Sequence, residues 1–479
     1  MVGGQRPDQP HVPEQVEMPE QVGVREKAAP REKAAPPENA LRAEDAPLAE
    51  DAPQAADAPQ ADQPDELEAE DAARPEAIPL LEPRDGMPPL VASAAALDEA
   101  VRLLGAGEGP VAVDAERASG FRYGHRAFLV QLRRRGAGTV LIDPVACPDL
   151  SGLDAALADA EVVLHAASQD LPCLAELGYR PRRLFDTELA GRLLGFPRVG
   201  LGALVETVLG LALEKGHAAD DWSTRPLPEE WLRYAALDVE VLVELRDALA
   251  AQLEEQGKTE WAGQEFAAVL AAGPAGPRPD PWRRTSGIHR VRSRRSLAIV
   301  RELWLERDRI ARRRDLSPGR VLADSAIIEA ARSAPVTAEA LAASPGFRGR
   351  GARRHMAEWL GAIRRARAQA DVTLPGPSGP VTDGPPPAHR WSERDPVAAK
   401  RLAAVRAVVA ALADEHSLPT ENLLQPDAVR RLAWQPPDPA NPEDVATDLA
   451  TYGARPWQVD LTALPIAKAL LRLAEKDGE

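Results

Sequence analysis

Cysteine and aromatic residues are scarce in this chain of 479 residues. There are two cysteines, Cys147 and Cys173, and 4% of the residues are aromatic. Two thiols cannot form a disulfide framework for a chain of this length, and neither lies in a CxxC pair. We therefore expect a reducing, cytoplasmic location and no zinc site. Because aromatic residues are few, aliphatic residues and alanine must fill the cores.

Long apolar segments are also missing. No stretch approaches the roughly 20 consecutive apolar residues that cross a bilayer. The first residues, MVGGQRPDQP, lack a charged region followed by an apolar one, which a secretory signal would have. We expect neither a membrane partner nor an organic small-molecule cofactor.

Charge is distributed unevenly along the chain. The net charge is −16 overall, with about −13 in residues 1–85 and about +11 in residues 286–370. The acidic total thus hides a basic module, and such asymmetry is typical of contact with nucleic acid.

The acidic end has a repetitive composition. Residues 1–88 repeat Ala, Pro, Glu, Asp and Gln, as in AEDAPLAEDAPQAADAPQAD. Low hydrophobicity with high charge cannot offset the entropy of ordering, so we predict a disordered acidic tail. The alternative is an arm that binds a partner or competes with substrate; the sequence does not identify such a partner.

The remainder divides into three predicted domains. In residues 89–272, three apolar runs predict a meander, a fourth strand follows, and helical segments come after; this order predicts an α/β domain with a mixed sheet. Linkers rich in Pro and Gly are predicted at 273–288 and 372–390. They separate two all-helical domains, at 289–371 and 391–476. Both open with a long amphipathic helix followed by a short-helix pattern, which indicates a diverged tandem repeat.

Paired acids mark the first strand of the α/β domain. Asp114 and Glu116 are two residues apart in PVAVDAE, so the strand period places both on one face. Two buried carboxylates repel each other unless a cation neutralises them, and hard oxygen ligands favour Mg²⁺ or Mn²⁺. The alternative is a strand end with both groups in solvent.

Two further segments of the sequence carry candidate catalytic side chains. Asp170 follows the fourth strand at the start of a helix, where an N-cap role is the alternative. Tyr234 and Asp238 are four residues apart and share a helix face, which a simple hydrogen-bonded pair would also explain. Together, four carboxylates and a phenol suit phosphodiester hydrolysis, since two cations stabilise the attacking and leaving oxygens and a phenol can orient water.

The motifs VAVDAE, HAASQD and YAALD, in this order, resemble those of the DEDDy branch of the DEDD exonucleases. FDTELAGRLLG and DWSTRPLPEEWLRYAALD are similar to ribonuclease D, and SRRSLAIVRELWLERDRIARRRDLSPGRVLADSAIIEAA resembles the HRDC domain. The resemblance implies a ribonuclease H-like fold, two divalent metals and release of nucleoside 5′-monophosphates. It assigns water orientation to Tyr234 and metal binding to Asp114, Glu116, Asp170 and Asp238. Ala115 stands where the family often has threonine.

Contacts to nucleic acid are predicted in two regions. Before the last motif, Trp222 could stack on a base and Arg225 could hold a phosphate, although an ordinary packed loop is the alternative. In the basic module, clustered arginines would bind the phosphates of a nucleic acid, because such binding releases counterions. The alternative is that these arginines form a solvated helix face. These clusters include Arg312, Arg313, Arg314, Arg353 and Arg354.

We therefore expect a metal-dependent 3′→5′ exoribonuclease that trims structured RNA, such as precursor tRNA at its 3′ end, or takes part in RNA turnover. A 3′→5′ exonuclease on single-stranded DNA is the alternative enzyme, because the metals act on phosphate whichever sugar is present. An RNA-binding scaffold with a silent active site is the alternative of another class.

Overall fold

The computed structural model describes residues 77–214, 216–217, 219–273, 276, 278–377, 379 and 384–477. Most of the predicted acidic tail, residues 1–76, lies outside the described residues. Within the described ranges, no helix is both long enough and apolar enough to span a membrane.

A six-stranded mixed sheet forms the centre of the α/β domain. The strands of this domain are β1 (Ile78–Leu80), β2 (Leu90–Val91), β3 (Glu108–Arg117), β4 (Ala127–Arg135), β5 (Gly138–Ile142), β6 (Val162–Leu164), β7 (Leu184–Asp186) and β8 (Leu211–Leu213). The sheet order is β2-β5-β4-β3-β6-β7. Strands β3, β4 and β5 form the predicted antiparallel meander, while β6 pairs in parallel with both β3 and β7. The predicted mixed sheet is thus confirmed.

Helices surround this sheet. They are α1 (Ala94–Ala106), α2 (Ser151–Ala156), α3 (Leu171–Glu176), α4 (Thr187–Leu193), α5 (Leu201–Leu204), α6 (Glu229–Glu240), α7 (Leu242–Glu255) and α8 (Thr259–Ala272), with a π turn at Val205–Leu209. Helix α6 packs on β3, β4 and β5. Its buried stripe, which includes Ala235, Ala236 and Val239, therefore fixes one helix face against the strand that carries the paired acids.

The end of the predicted tail needs correction. Strand β1 pairs in parallel with β8, with Ile78 opposite Leu211. Arg84 forms an ion pair with Glu244 of α7. The ordered chain thus begins before the predicted boundary at residue 88. The composition of this segment predicted disorder, but these contacts offset the entropy that the chain loses on ordering.

The first helical module has its own core. Its helices are α9 (Arg294–Arg314), α10 (Pro318–Val321), α11 (Asp324–Ser333), α12 (Ala338–Ala343), α13 (Arg350–Arg353) and α14 (Met356–Ala368). Leu303, Ile327 and Trp359 are fully buried there. Trp282 also lies in this core, although the sequence places it in the 273–288 linker. The module therefore begins within that predicted linker, because a large aromatic side chain is buried there.

The second helical module shares part of this order of elements. Its helices are α15 (Trp391–Arg394), α16 (Pro396–Glu415), α17 (Thr420–Leu423), α18 (Pro426–Trp434), α19 (Pro442–Thr451) and α20 (Pro456–Asp477). In each module a helix of 20 or 21 residues precedes one of 4 residues and one of 9 or 10 residues. The tandem repeat stays a prediction that this similarity favours.

The second helical module packs against the α/β domain. Buried Lys258 donates from Nζ to the carbonyls of Leu193 (2.7 Å) and His416 (2.8 Å), and so caps a helix end in each part. The indole rings of Trp261 and Trp457 stack with centroids 4.7 Å apart. One hydrophobic core continues through both parts, so neither buries its apolar surface independently.

Candidate active site

Three carboxylates converge at one end of the sheet. Asp114 and Glu116 extend from β3, and Asp238 extends from α6, which packs across that strand. One oxygen from each lies within 4.8 Å of the others, a spacing that suits a common cation. The alternative of a solvated strand end does not hold, because Glu116 is buried.

Gln131 supports this cluster and is a residue that the sequence reasoning missed. It lies directly opposite Asp114 in the β3–β4 pair, and its Nε2 donates to Asp114 Oδ2 at 3.3 Å. The residue is fully buried, and its Oε1 has no hydrogen-bond partner among the described residues. A lone glutamine inside the apolar run AFLVQL was the available sequence signal, since a buried polar group needs a partner.

Asp170 lies beside this cluster with a different neighbour. It is 3% exposed, and its Oδ1 is 2.9 Å from Nη1 of Arg117. Asp170 occupies the N-cap position of α3, yet its side chain accepts no capping hydrogen bond. The alternative assignment of Asp170 as an ordinary helix cap is therefore not supported.

The turn that carries Asp170 is fixed by Asp186 and Thr187. Ala166 adopts a left-handed conformation with φ of 57°, which is uncommon for a non-glycine residue. Asp186 accepts hydrogen bonds from the backbone N–H groups of Ala166 (3.1 Å) and Ala167 (2.8 Å). Thr187 Oγ1 is 2.9 Å from Nδ1 of His165. The FDT sequence of β7 and α4 thus holds the HAASQD turn, and His165 packs within it as a supporting residue.

Burial governs the ionisation of these acids. Desolvation, followed by repulsion from the neighbouring carboxylates, raises the pKa of Glu116 to about 10 and that of Asp170 to about 8. Burial also raises the pKa of Asp114 and Asp238. Such a site retains protons unless a cation replaces them. The buried Asp170 Oδ1 has no aligned hydrogen-bond donor among the described residues, so the donor set fits divalent metal binding.

Tyr234 stays protonated at the edge of the cluster. Burial and the charges of Asp238 and Glu116 raise the pKa of the phenol well above its ordinary value. Tyr234 and Asp238 are one helical turn apart on the same helix face, and both line the groove over the carboxylates. The ring meets that of His217 edge-on, with centroids 5.7 Å apart. Tyr234 can therefore orient a water molecule as a neutral hydrogen-bonding group.

The predicted nucleic-acid contacts of Trp222 and Arg225 are wrong. Trp222 is fully buried, and its indole N–H donates to the carbonyl of His217 at 3.0 Å. Arg225 forms a bidentate ion pair with Asp143, with both N–O distances 2.8 Å, and donates to the carbonyl of Phe128. A fully packed ring cannot stack on a base, and this guanidinium is already occupied. Both residues instead fix the loop that places His217 beside Tyr234.

An open groove of about 800 Å³ lies over the carboxylates. It is bounded by the acidic cluster, Tyr234, the π turn and two arginines, Arg117 and Arg198. Arg198 is exposed and makes no hydrogen bond or ion pair within the described part of the chain. The groove thus combines cation ligands with positive charge suited to a phosphate backbone.

The arginine clusters of the first helical module lie in two settings. Arg313, Arg353 and Arg354 are exposed, and their guanidinium groups have no hydrogen bond or ion pair with other described residues. Arg312 instead donates to the hydroxyl of Tyr123 (3.0 Å) in the loop that follows β3. Arg314 is 3.4 Å from Nε2 of His355. Nucleic-acid binding by these five arginines stays a prediction.

The loop after β3 joins this strand to the first helical module. The Tyr123 hydroxyl donates to Asp308 at 3.0 Å, and Arg126 pairs with Asp315 at 3.1 Å. Ser317 donates from its backbone N–H to the carbonyl of Phe121. This loop begins directly after the paired acids, so the module braces the segment beside the active site.

The fold and the acidic site define a class of protein. A mixed sheet presents Asp114 and Glu116, and the helix packed on it presents Asp238, to one groove; a basic all-helical module follows. The family model described as "3'-5' exonuclease" matches residues 90–254, and the one described as "HRDC domain" matches residues 296–363. A third, "3' to 5' exonuclease C-terminal domain", matches residues 384–470. The chain is thus a 3′→5′ exonuclease with an HRDC domain.

Comparison with known relatives identifies the family of 3′→5′ exonucleases to which the chain belongs. The chain is 34% identical over 345 residues to ribonuclease D of Gluconacetobacter diazotrophicus, covering 68% of this chain and 81% of the relative. The crystal structure of Escherichia coli RNase D, described as an exoribonuclease involved in structured RNA processing, is similar with a TM-score of 0.59 and 26% identity, over 81% of this chain and 99% of that chain. A crystal structure of a protein from Bifidobacterium adolescentis gives a TM-score of 0.77 and 39% identity, over 83% of this chain and 100% of that chain. The chain belongs to the ribonuclease D family and is a 3′→5′ exoribonuclease.

Proposed function

We propose that this exoribonuclease hydrolyses the terminal phosphodiester of structured RNA with two divalent cations, Mg²⁺ or Mn²⁺, and releases nucleoside 5′-monophosphates. Asp114, Glu116, Asp170 and Asp238 hold the cations. The observation that carries this proposal is the convergence of three carboxylates within 4.8 Å, beside a fourth that is buried. When bound, such cations stabilise the attacking and leaving oxygens of an in-line displacement.

Tyr234 orients the attacking water. Its raised pKa, caused first by burial and then by Asp238, keeps the hydroxyl protonated at neutral pH, so it acts by hydrogen bonding rather than as a base. Asp238 lies one helical turn away on the same helix face, so the hydroxyl is placed beside a carboxylate that holds a cation. Positioning of this kind contributes roughly 10²–10⁴-fold to the rate.

Structured RNA, such as precursor tRNA, is the substrate class that the surface favours. The similar E. coli enzyme is described as acting in structured RNA processing. Here the exposed Arg313, Arg353 and Arg354 offer positive charge away from the acidic site. Because the last nucleotides enter a site built from acids, affinity for the rest of the RNA comes from such charge. We place this activity in the cytoplasm, since both cysteines are free and buried.

The same test addresses the two alternatives that the sequence raised. An enzyme that prefers single-stranded DNA would use the same carboxylates, because cations act on the phosphate. A catalytically silent RNA-binding scaffold would keep the arginine surface without hydrolysis. The convergence of the carboxylates with Tyr234 favours an active enzyme.

The test uses matched RNA and DNA oligomers labelled at the 5′ end, the full chain, and Asp238→Asn as the inactive control. We expect stepwise shortening of the RNA from its 3′ end with nucleoside 5′-monophosphates as products, and no shortening by the variant. Faster degradation of DNA, or equal products from the variant, would contradict the proposal.

A further inference from the structure

Arg117 enters the active-site groove although strand alternation alone would turn it away. In a regular strand, Arg117 and Glu116 point to opposite faces. The register between β3 and β4 shifts at this pair: Glu116 lies opposite Leu129, and Arg117 lies opposite Ala127. The extra residue, Phe128, lies on β4, and such a bulge increases the local twist where β3 ends. The Arg117 side chain, 22% exposed, lines the groove at this end of the strand.

The guanidinium of Arg117 is held at the turn that carries Asp170. It donates to the backbone carbonyl of Gln169, and its Nη1 is 2.9 Å from Asp170 Oδ1. That oxygen nevertheless has no aligned hydrogen-bond donor among the described residues. The contact is therefore a charge pairing without directed hydrogen bonds, which a stronger cation or a better-aligned anion can replace.

Asp170 is separated from the other acids in this arrangement. Asp114, Glu116 and Asp238 already form a three-ligand group without it. A second cation needs Asp170, and the positive charge of Arg117 competes for the same carboxylate. A phosphate offers two oxygens that the planar guanidinium of Arg117 can bind in a bidentate way, which Asp170 does not provide here.

We infer that Arg117 is a positioning residue that couples RNA binding to completion of the cation site: it holds Asp170 in the free enzyme and releases it when a phosphate of the RNA enters the groove. This inference rests on the proposed function. Its consequence is that the positive charge of Arg117 weakens binding of the second cation in the free enzyme, and that a phosphate bound to Arg117 relieves this weakening. By thermodynamic linkage, the cation must strengthen nucleotide binding by the same factor.

The experiment counts Mn²⁺ bound to the full chain by titration calorimetry and by electron paramagnetic resonance. Without nucleotide, we expect one tightly bound Mn²⁺ in the wild type and two in Arg117→Gln, with the second bound about tenfold more tightly than in the wild type. Arg117→Lys keeps a positive charge beside Asp170, so we expect one tightly bound Mn²⁺ in this variant. Addition of a nucleoside 5′-monophosphate should bring the wild type to two.

Arg198→Gln is the matched control, because it removes the same charge from the same groove without contacting an acid. It should bind one Mn²⁺ without nucleotide. Two equally tight ions in the nucleotide-free wild type would overturn the inference, and so would one ion in folded Arg117→Gln or two in Arg198→Gln. If Arg117→Gln does not fold, Arg117→Met is measured in its place, with the same result expected and the same result overturning the inference. Failure of the wild type to hydrolyse RNA would count against the proposed function, whereas normal hydrolysis with nucleotide-independent loading would count only against this inference.

Discussion

The metal-free enzyme should become less stable as the pH rises above neutrality. Burial and mutual repulsion raise the pKa of Glu116 from 4.5 to about 10 and that of Asp170 from 3.8 to about 8 in the folded protein. Between the unfolded and folded values, the folded state binds protons that the unfolded chain has lost. The free energy of unfolding therefore falls as pH rises through this window, by about 1.4 kcal/mol per pH unit for each such proton.

The expected fall in the free energy of unfolding is large enough to measure. From about pH 6.5 to about pH 8.5, one retained proton corresponds to about 3 kcal/mol. For a domain of this size that is a fall in Tm of roughly 5–10 °C. His165 contributes with the opposite sign, because burial lowers its pKa to about 4. Its stabilising effect is lost only as pH falls below about 6.5, so it does not affect this window.

Thermal unfolding followed by circular dichroism, in chelator and then in excess Mn²⁺, measures this effect. Mn²⁺ should remove the pH dependence by replacing the protons. Glu116→Gln should flatten the slope in chelator, whereas Glu254→Gln, an exposed acid on α7, should leave it unchanged. A Tm in chelator that is constant or rises over this window would refute the reasoning.

Three further predictions concern Tyr234, Trp222 and the arginine surface. Tyr234→Phe should slow hydrolysis at saturating RNA by roughly 10²–10⁴-fold while Mn²⁺ affinity is unchanged, and a wild-type rate would reduce Tyr234 to a packing residue. Trp222→Ala should lower the free energy of unfolding by about 3–5 kcal/mol, as measured by denaturant titration, because the ring is fully buried; a loss of RNA affinity at wild-type stability would restore the stacking role. Arg353→Gln with Arg354→Gln should weaken RNA binding and reduce the slope of log K against log salt by about 0.7 for each phosphate that is no longer neutralised, with kcat unchanged; equal slopes would return both residues to a solvated surface.

Point substitutions suit this last test better than deletion of the helical modules. Lys258 bonds to carbonyls of both the α/β domain and the second helical module, and Trp261 stacks on Trp457 across the same contact. Removal of the second module would expose this shared core. A loss of activity after truncation would then report unfolding as well as weaker RNA binding.

Periodicity predicted the parts of the site that lie on regular elements. Asp114 and Glu116 share a face because a strand alternates, and Tyr234 and Asp238 share one because a helix returns after about four residues. These pairs needed no knowledge of distant contacts. The two pairs meet in one groove because α6 packs across β3. Periodicity does not predict this packing, and the order of the motifs implied it only through the family resemblance.

Residues that depend on distant or irregular contacts were not predictable in this way. Arg117 enters the groove at a register shift that no alternation pattern contains. Gln131 meets Asp114 through cross-strand register. Trp222 and Arg225 looked available for nucleic acid because a polar loop surrounds them, but burial and the ion pair to Asp143 occupy both.

The central claim is that the converging carboxylates bind the catalytic cations. Anomalous diffraction from crystals of the full chain grown with Mn²⁺ and a nucleoside 5′-monophosphate tests it most directly. We predict an anomalous peak within ligand distance, about 2.0–2.4 Å, of oxygens from Asp114, Glu116 and Asp238, and a second peak near Asp170. Asp238→Asn crystals under the same conditions should lose the first peak. A fully occupied Mn²⁺ elsewhere, with none among these carboxylates, would contradict the account.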